Sequence, residues 1–238
     1  MQLENYNLQL GACILSLITV ELHCHTYRSK DSLMLPAKML EVCRRRGIDR
    51  IAITDHNTID GALEVQSLAP ERVIVGEEIM TDRGELLGYF LHERIPPGLS
   101  PQETIQRLRD QGAVISVSHP FDTIRAGSWA EADLWQILPL VDAIETFNAR
   151  TWSRSANAQA EALADEAGIP GTAGSDAHTY IELGRAVMRF PEFSGAEEMR
   201  TALRSAEVAA RRSSPLVHLL SRYATWRKRA GWKPAEVQ

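Results

Sequence analysis

Cysteine is sparse in this 238-residue chain and forms no pattern. Cys13, Cys24 and Cys43 are odd in number and no C-x-x-C occurs. That argues against a disulfide framework and fits reduced thiols in a cytoplasmic protein. A basic excess is missing too: the net charge of -5 argues against a dedicated nucleic-acid binder. No apolar run reaches membrane-spanning length. Gly11–Val20 is about half a span. It has no Lys or Arg before it and runs into His23 without a cleavage-like site, so it reads as a core strand and not a signal peptide. Internal repeats and low-complexity segments are absent, and Pro96-Pro97-Gly98 is a short loop and not a linker.

What is present is alternation. Apolar strand candidates at Ile14–Leu22, Arg50–Thr54, Val73–Ile79, Val114–Ser118, Val141–Phe147, Gly168–Ala173 and Ala186–Phe190 are separated by helix candidates. Ser100-Pro101-Gln102-Glu103 reads as a capping box with proline at the first helical position. Leu86–Leu91 breaks the alternation and is expected to pair with Val73–Ile79 through the turn Thr81–Gly84. Repeated β-then-α units imply a mostly parallel sheet, and about seven of them an α/β fold closed as a distorted barrel. One barrel domain is expected over 1–238, with a C-terminal helical segment at about 194–232. In that segment Leu216, Leu219, Leu220, Tyr223 and Trp226 fall at helical spacing, so a basic amphipathic helix is expected to dock on the barrel.

Five of the seven histidines lie at or just past strand ends, where such barrels keep their active sites. In H-x-H, alternation lets His23 and His25 face one side while Cys24 points away. Asp55-His56 closes the second strand. One of the adjacent Glu77 and Glu78 should face the site and the other should not, and a carboxylate there can bridge two metals. His119 ends the fourth parallel strand, and Asp176 and His178 form a D-x-H pair after small residues. Imidazole and carboxylate ligands suit zinc, manganese and iron. Each motif has an ordinary alternative, such as a helix cap at Asp55 or a core histidine at His119. His92 and His218 fit no such position.

In combination, His23-Cys24-His25-Thr26, Ile53-Thr54-Asp55-His56-Asn57, Ser118-His119-Pro120 and Gly174-Ser175-Asp176-Ala177-His178 resemble the PHP (polymerase and histidinol phosphatase) superfamily over roughly Val20 to Phe190. The resemblance implies a distorted seven-stranded (β/α) barrel holding two to three divalent metals: zinc, manganese or iron. One metal would take His23, His25, Glu78 and Asp176. A second would take His56, His178 and Asp31. A third would share Glu78 and use His119, with Asn148, or alternatively Glu145, where relatives often have histidine or cysteine.

The implied activity is hydrolysis of a phosphate monoester or diester by a metal-activated water. Asp176 and His178 are expected in catalysis. Arg125 and Arg150 are expected to hold phosphate, ahead of Arg154 and Arg185. The expected substrate is a small phosphorylated compound, nucleotides and short oligonucleotides included. No membrane and no obligate protein partner is expected. The alternatives are exonuclease or histidinol-phosphatase-like action, amide hydrolysis, and a non-catalytic metal-binding barrel.

Overall fold

The computed structural model describes residues 17–125 and 127–234. Cys13 and the expected strand start at Ile14 lie outside them. The described elements run β1 (Leu17–Glu21), α1 (Pro36–Arg45), β2 (Arg50–Ile53), α2 (Asp60–Leu68), β3 (Val73–Met80), β4 (Glu85–Tyr89), α3 (Pro101–Asp110), β5 (Val114–Val117), α4 (Glu131–Ile137), β6 (Ala143–Asn148), α5 (Arg154–Ala167), β7 (Gly171–Gly174), β8 (Ala186–Pro191), α6 (Ala196–Ala202), β9 (Glu207–Ala210) and α7 (Val217–Arg229). The cap before α3 forms as expected: the Ser100 side chain accepts from the Glu103 N–H at 3.2 Å.

The strands form one sheet in the order β7-β6-β5-β4-β3-β2-β1-β8-β9. Neighbours among β1, β2 and β3 are parallel, as are those among β5, β6 and β7, while β4 runs antiparallel to both flanks. The ring is drawn together at one end, where Cys24 and Ala177 form a parallel bridge just past β1 and β7. The other half of β1 pairs with β8, Leu17 opposite Pro191 and Val20 opposite Met188, so the sheet is a nearly closed barrel with β8 and β9 splayed off it.

Side-chain alternation sorts the core into two layers. Ala52, Ile74, Leu87, Tyr89, Val114, Ala143 and Ala173 come from six strands and meet in one cluster, so they share the ring interior. Their neighbours Ile51, Ile53, Val73, Val75 and Leu86 pack outward against Met39, Val42, Val65 and Leu108 of the surrounding helices.

Two expectations need correction at the C-terminal end. The segment from about 194 to 232 is not uniformly helical, because β9 pairs with β8 there. The docked face of α7 is also not the large apolar one. Val217, Ser221 and Ala224 are buried, whereas Leu216, Leu219, Leu220, Tyr223 and Trp226 are exposed. Small side chains let the helix approach closely, and polar contacts hold it. Arg150 Nη2 donates to Ser221 Oγ at 2.7 Å, and the Lys228 ammonium donates to the carbonyls of Tyr27 and Ser29.

Candidate metal centre

The parallel strands deliver their motifs to one end of the ring. His23 and His25 follow β1, and Cys24 between them turns away, its thiol donating to the Ala52 carbonyl at 3.2 Å. Of the adjacent glutamates, Glu77 accepts from the Ile95 N–H and Glu78 faces the site. β6 carries a register shift between Glu145 and Phe147. The extra residue lets Glu145 and Asn148, three apart, both reach the cluster. Gly174 leaves the space that His23 and Glu145 occupy. Asp176 itself sits in the left-handed region with φ 50°, an uncommon conformation for a residue with a side chain.

Four groups converge first. His23 Nε2 is 3.3 Å from Glu78 Oε1 and 3.8 Å from Asp176 Oδ1. His25 Nε2 is 3.5 Å from Glu78 Oε2 and 3.3 Å from Asp176 Oδ1. Ligands about 2.1 Å from a tetrahedral ion stand about 3.4 Å apart, so this spacing fits a bound cation. His23 Nε2, His25 Nε2, Glu78 Oε2 and Asp176 Oδ1 are buried without hydrogen-bond partners. Orphaned polar atoms are costly, and a cation among them would satisfy all four. Beside them Asp31 lies 3.6 Å from His56 Nε2 and 3.2 Å from His178 Nε2. A third group joins His119 Nε2, 3.0 Å from Glu78 Oε1 and 3.5 Å from Glu85 Oε2.

The rings are aimed by what holds their other nitrogens. His23 Nδ1 is 2.8 Å from Glu145 Oε1, His25 Nδ1 is 3.1 Å from Ser29 Oγ, and His178 Nδ1 is 2.8 Å from the Asp176 carbonyl. Asp55 is not a ligand here. It accepts from the backbone and hydroxyl of Thr26 and of Ser29, and so fixes the turn that carries the His25 partner.

Asn148 sits beside the cluster, yet both ends of its amide are engaged. Its Oδ1 accepts from the Arg150 N–H at 2.9 Å, and its Nδ2 donates to Glu145 and Asp176. Glu145 is engaged likewise, by His23, the His119 N–H and Asn148. After β6 the groups at Asn148 and Glu145 are thus occupied by protein contacts, and a carboxylate that the sequence reading did not name, Glu85, stands 3.5 Å from His119 Nε2. It was missed because it merely begins a hairpin strand. An antiparallel β4 starts at the end of the ring where its neighbours finish, and that places Glu85 in the site.

The buried groups shift one another's proton affinities in both directions. Burial pushes the His23 imidazole down, but Glu145, Glu78 and Asp176 hold it well above its usual value. Burial, His178 and His56 put His25 well below. Burial favours a neutral carboxyl, but His23 and His56 hold Glu78 well below the carboxylate range. Arg125 and His23 do the same for Asp176 against its burial. Burial and the neighbouring Glu78 push Glu85 up to about 7.

Asp31, His56, Glu85, His119 and His178 of the cluster line a cavity of about 600 Å³ whose walls also include Arg28, Lys30, Arg125, Arg150 and Arg222. Arg125 pairs with Asp176 and with Asp122. Arg150 is buried and fixed by Ser221, Glu182 and the Asp176 carbonyl. Arg154 and Arg185 are not among the cavity residues. Trp152 stacks on His218 at the rim, ring centroids 4.3 Å apart.

Comparison with known proteins agrees with this picture. The PHP domain family profile matches residues 21–111, and the PHP-associated profile matches 154–208. The uncharacterized protein MJ1587 of Methanocaldococcus jannaschii is 41% identical over 143 residues, covering 54% of this chain and 81% of that one. MJ0417 of the same organism is 36% identical over 178 residues, covering 74% and 71%. A solved two-domain protein from Bacteroides vulgatus contains a predicted PHP-like metal-dependent phosphoesterase. It superposes with a TM-score of 0.67 at 18% identity, covering 82% of this chain and 65% of that one, a likeness of fold. Ring, motifs and relatives together make this chain a member of the PHP superfamily.

Proposed function

We propose that this protein is a metal-dependent phosphoesterase acting on a small phosphorylated substrate. The observation that carries the reading is one cavity with two kinds of wall. Its floor is formed by Asp31, His56, Glu85, His119 and His178, which adjoin the buried His23, His25, Glu78 and Asp176, and arginines and a lysine stand around its opening. His23, His25, Glu78 and Asp176 would hold one ion. Asp31, His56 and His178 would hold a second, and His119 with Glu85 and Glu78 a third. Zinc, manganese or iron held there would activate water and neutralise phosphoryl oxygens.

The protein's own groups supply orientation. Arg28, Lys30 and Arg222 reach the cavity wall and can take non-reacting phosphate oxygens. Arg125 touches the cluster through Asp176 and stands where phosphate would approach it. Arg150 ties Asp176 and α7 together, so its part is positioning. Against its burial, Arg125 and His23 hold Asp176 toward its charged form, the form in which a carboxylate can ligate a metal or accept a proton.

The test is phosphate release by manganese-loaded protein across phosphomonoesters, nucleotides and phosphodiesters, with His56→Ala protein alongside. Release by the parent and loss of at least about a hundredfold in the variant is the expected result. No release from any of them by metal-loaded protein would overturn the reading in favour of amide hydrolysis or a non-catalytic module.

A further inference from the structure

The outer face of α7 takes no part in holding the fold. Exposure along it runs from 42% at Leu220 to 68% at Leu216, with Leu219, Tyr223 and Trp226 between. A step of about 100° per residue puts these five on one side, opposite the docked Val217, Ser221 and Ala224. The surroundings are of one sign. From Val208 to Ala235 the sequence has seven Lys and Arg and no Asp or Glu, within a chain whose net charge is -5. Carboxylates are thus excluded from this segment while they dominate elsewhere.

That charge decides among occupants. A second copy of the helix would bring Arg222, Arg227 and Arg229 against their own kind. A nucleic acid would meet the cations but would leave three leucines in water. An anionic lipid surface meets both demands. Its phosphates lie at the level of the arginines, and the headgroup–acyl boundary takes Leu, Tyr and Trp. A second observation agrees. Ile124 and Trp152, on the loops after β5 and β6, are exposed at the same end of the ring as the cavity. The loops that carry them also supply Arg125 and Arg150 to the cavity wall.

We infer that α7 is an in-plane helix that binds an anionic membrane surface and turns the cavity toward it. No helix among the described residues is long and apolar enough to cross a membrane, and in-plane binding requires none. The expectation of no membrane partner, which rests on that lack, does not extend to this mode. The attachment is rigid, because Lys228 grips the Tyr27 and Ser29 carbonyls and Ser221 receives Arg150. The inference does not depend on the chemistry proposed for the cavity.

The experiment is flotation of the full chain with vesicles of phosphatidylglycerol and phosphatidylcholine, against phosphatidylcholine alone. The expected result is binding to the anionic vesicles at least about tenfold tighter, with a blue shift of tryptophan emission. Leu219→Ala with Trp226→Ala, and separately Arg227→Glu with Arg229→Glu, should each weaken binding by about tenfold or more while the melting temperature holds. Failure to float with anionic vesicles overturns the inference, and so does flotation unaffected by the Leu219 and Trp226 changes. A dimer in light scattering that those changes dissolve, with no lipid binding, would instead assign the face to a second copy. Binding of a single-stranded oligonucleotide with vesicles ignored would assign it to nucleic acid.

Discussion

Glu145 Oε1 lies 2.8 Å from His23 Nδ1, and that contact decides which nitrogen of the ring reaches the cluster. With Nδ1 engaged, Nε2 points at Glu78 and Asp176. Glu145→Gln keeps an acceptor but removes the charge that makes the imidazole a strong donor to a metal. Metal affinity should fall by about 10- to 100-fold, read by competition with a chelator, while the fold persists. Unchanged affinity would mean that Glu145 serves the barrel and not the ion.

Glu85 reaches the cluster alone from the antiparallel strand. Its proposed ion also shares Glu78 with the first group, so it should be the most loosely held of three. Glu85→Gln protein is expected to keep two tight divalent ions and to lose the exchangeable one, as counted by native mass spectrometry. Three ions retained at parent affinity would exclude Glu85 as a ligand.

Gly174 marks how tightly β7 and the segment after β1 meet. A Cβ there would come within 2.3 Å of His23 Cβ and 2.7 Å of Glu145 Oε1. Gly174→Ala should cost about 1–3 kcal/mol of stability through overpacking and should also displace His23, weakening metal binding. Gly168 offers the control. It ends α5 at φ 65° with open space around it, so Gly168→Ala should cost about 1 kcal/mol and leave metal affinity alone.

His218 supplies a pH dependence away from the cluster. Burial, with Arg150 and Arg125 nearby, pushes its imidazole from the ordinary 6.5 down to about 4. The unfolded chain therefore binds more protons than the folded one between those values, and stability is lost as pH falls from about 6.5 to about 4. The Nε2–H donates to the Arg150 carbonyl in either charge state, so the loss on protonation comes from burial and the two neighbouring guanidinium groups. Melting temperature against pH should fall less steeply over that window in His218→Gln than in the parent. Identical slopes would rule His218 out as the source.

Much of this was legible because the chemistry repeats at strand ends. Runs such as Ile51–Ile53 and Val114–Val117 are mostly apolar, short and followed two residues on by a charged or imidazole side chain, so both ring and floor could be read from them. The reading failed where three-dimensional direction overrode pattern. Leu219 and Trp226 have the spacing of a docked face, yet Ser221 and Ala224 take it because close approach favours small side chains. Glu207–Ala210 shows no alternation, and its strand exists because β8 offers an edge. Asn148 follows β6 as a ligand would, but its amide is engaged by a backbone N–H and two carboxylates, which spacing alone does not reveal.

The ring is drawn shut where Ser175 meets Glu21, 154 residues away in sequence. His23 and His25 come from the beginning of the barrel, and Asp176 and His178 from its last parallel strand. An ion held among them would act as a clasp across a loop of most of the barrel, and its binding energy would add directly to folded-state stability. During synthesis the clasp cannot engage until β7 has emerged. Loading is thereby a late event, and the ring begun by β1 and β2 stays open until β7 follows.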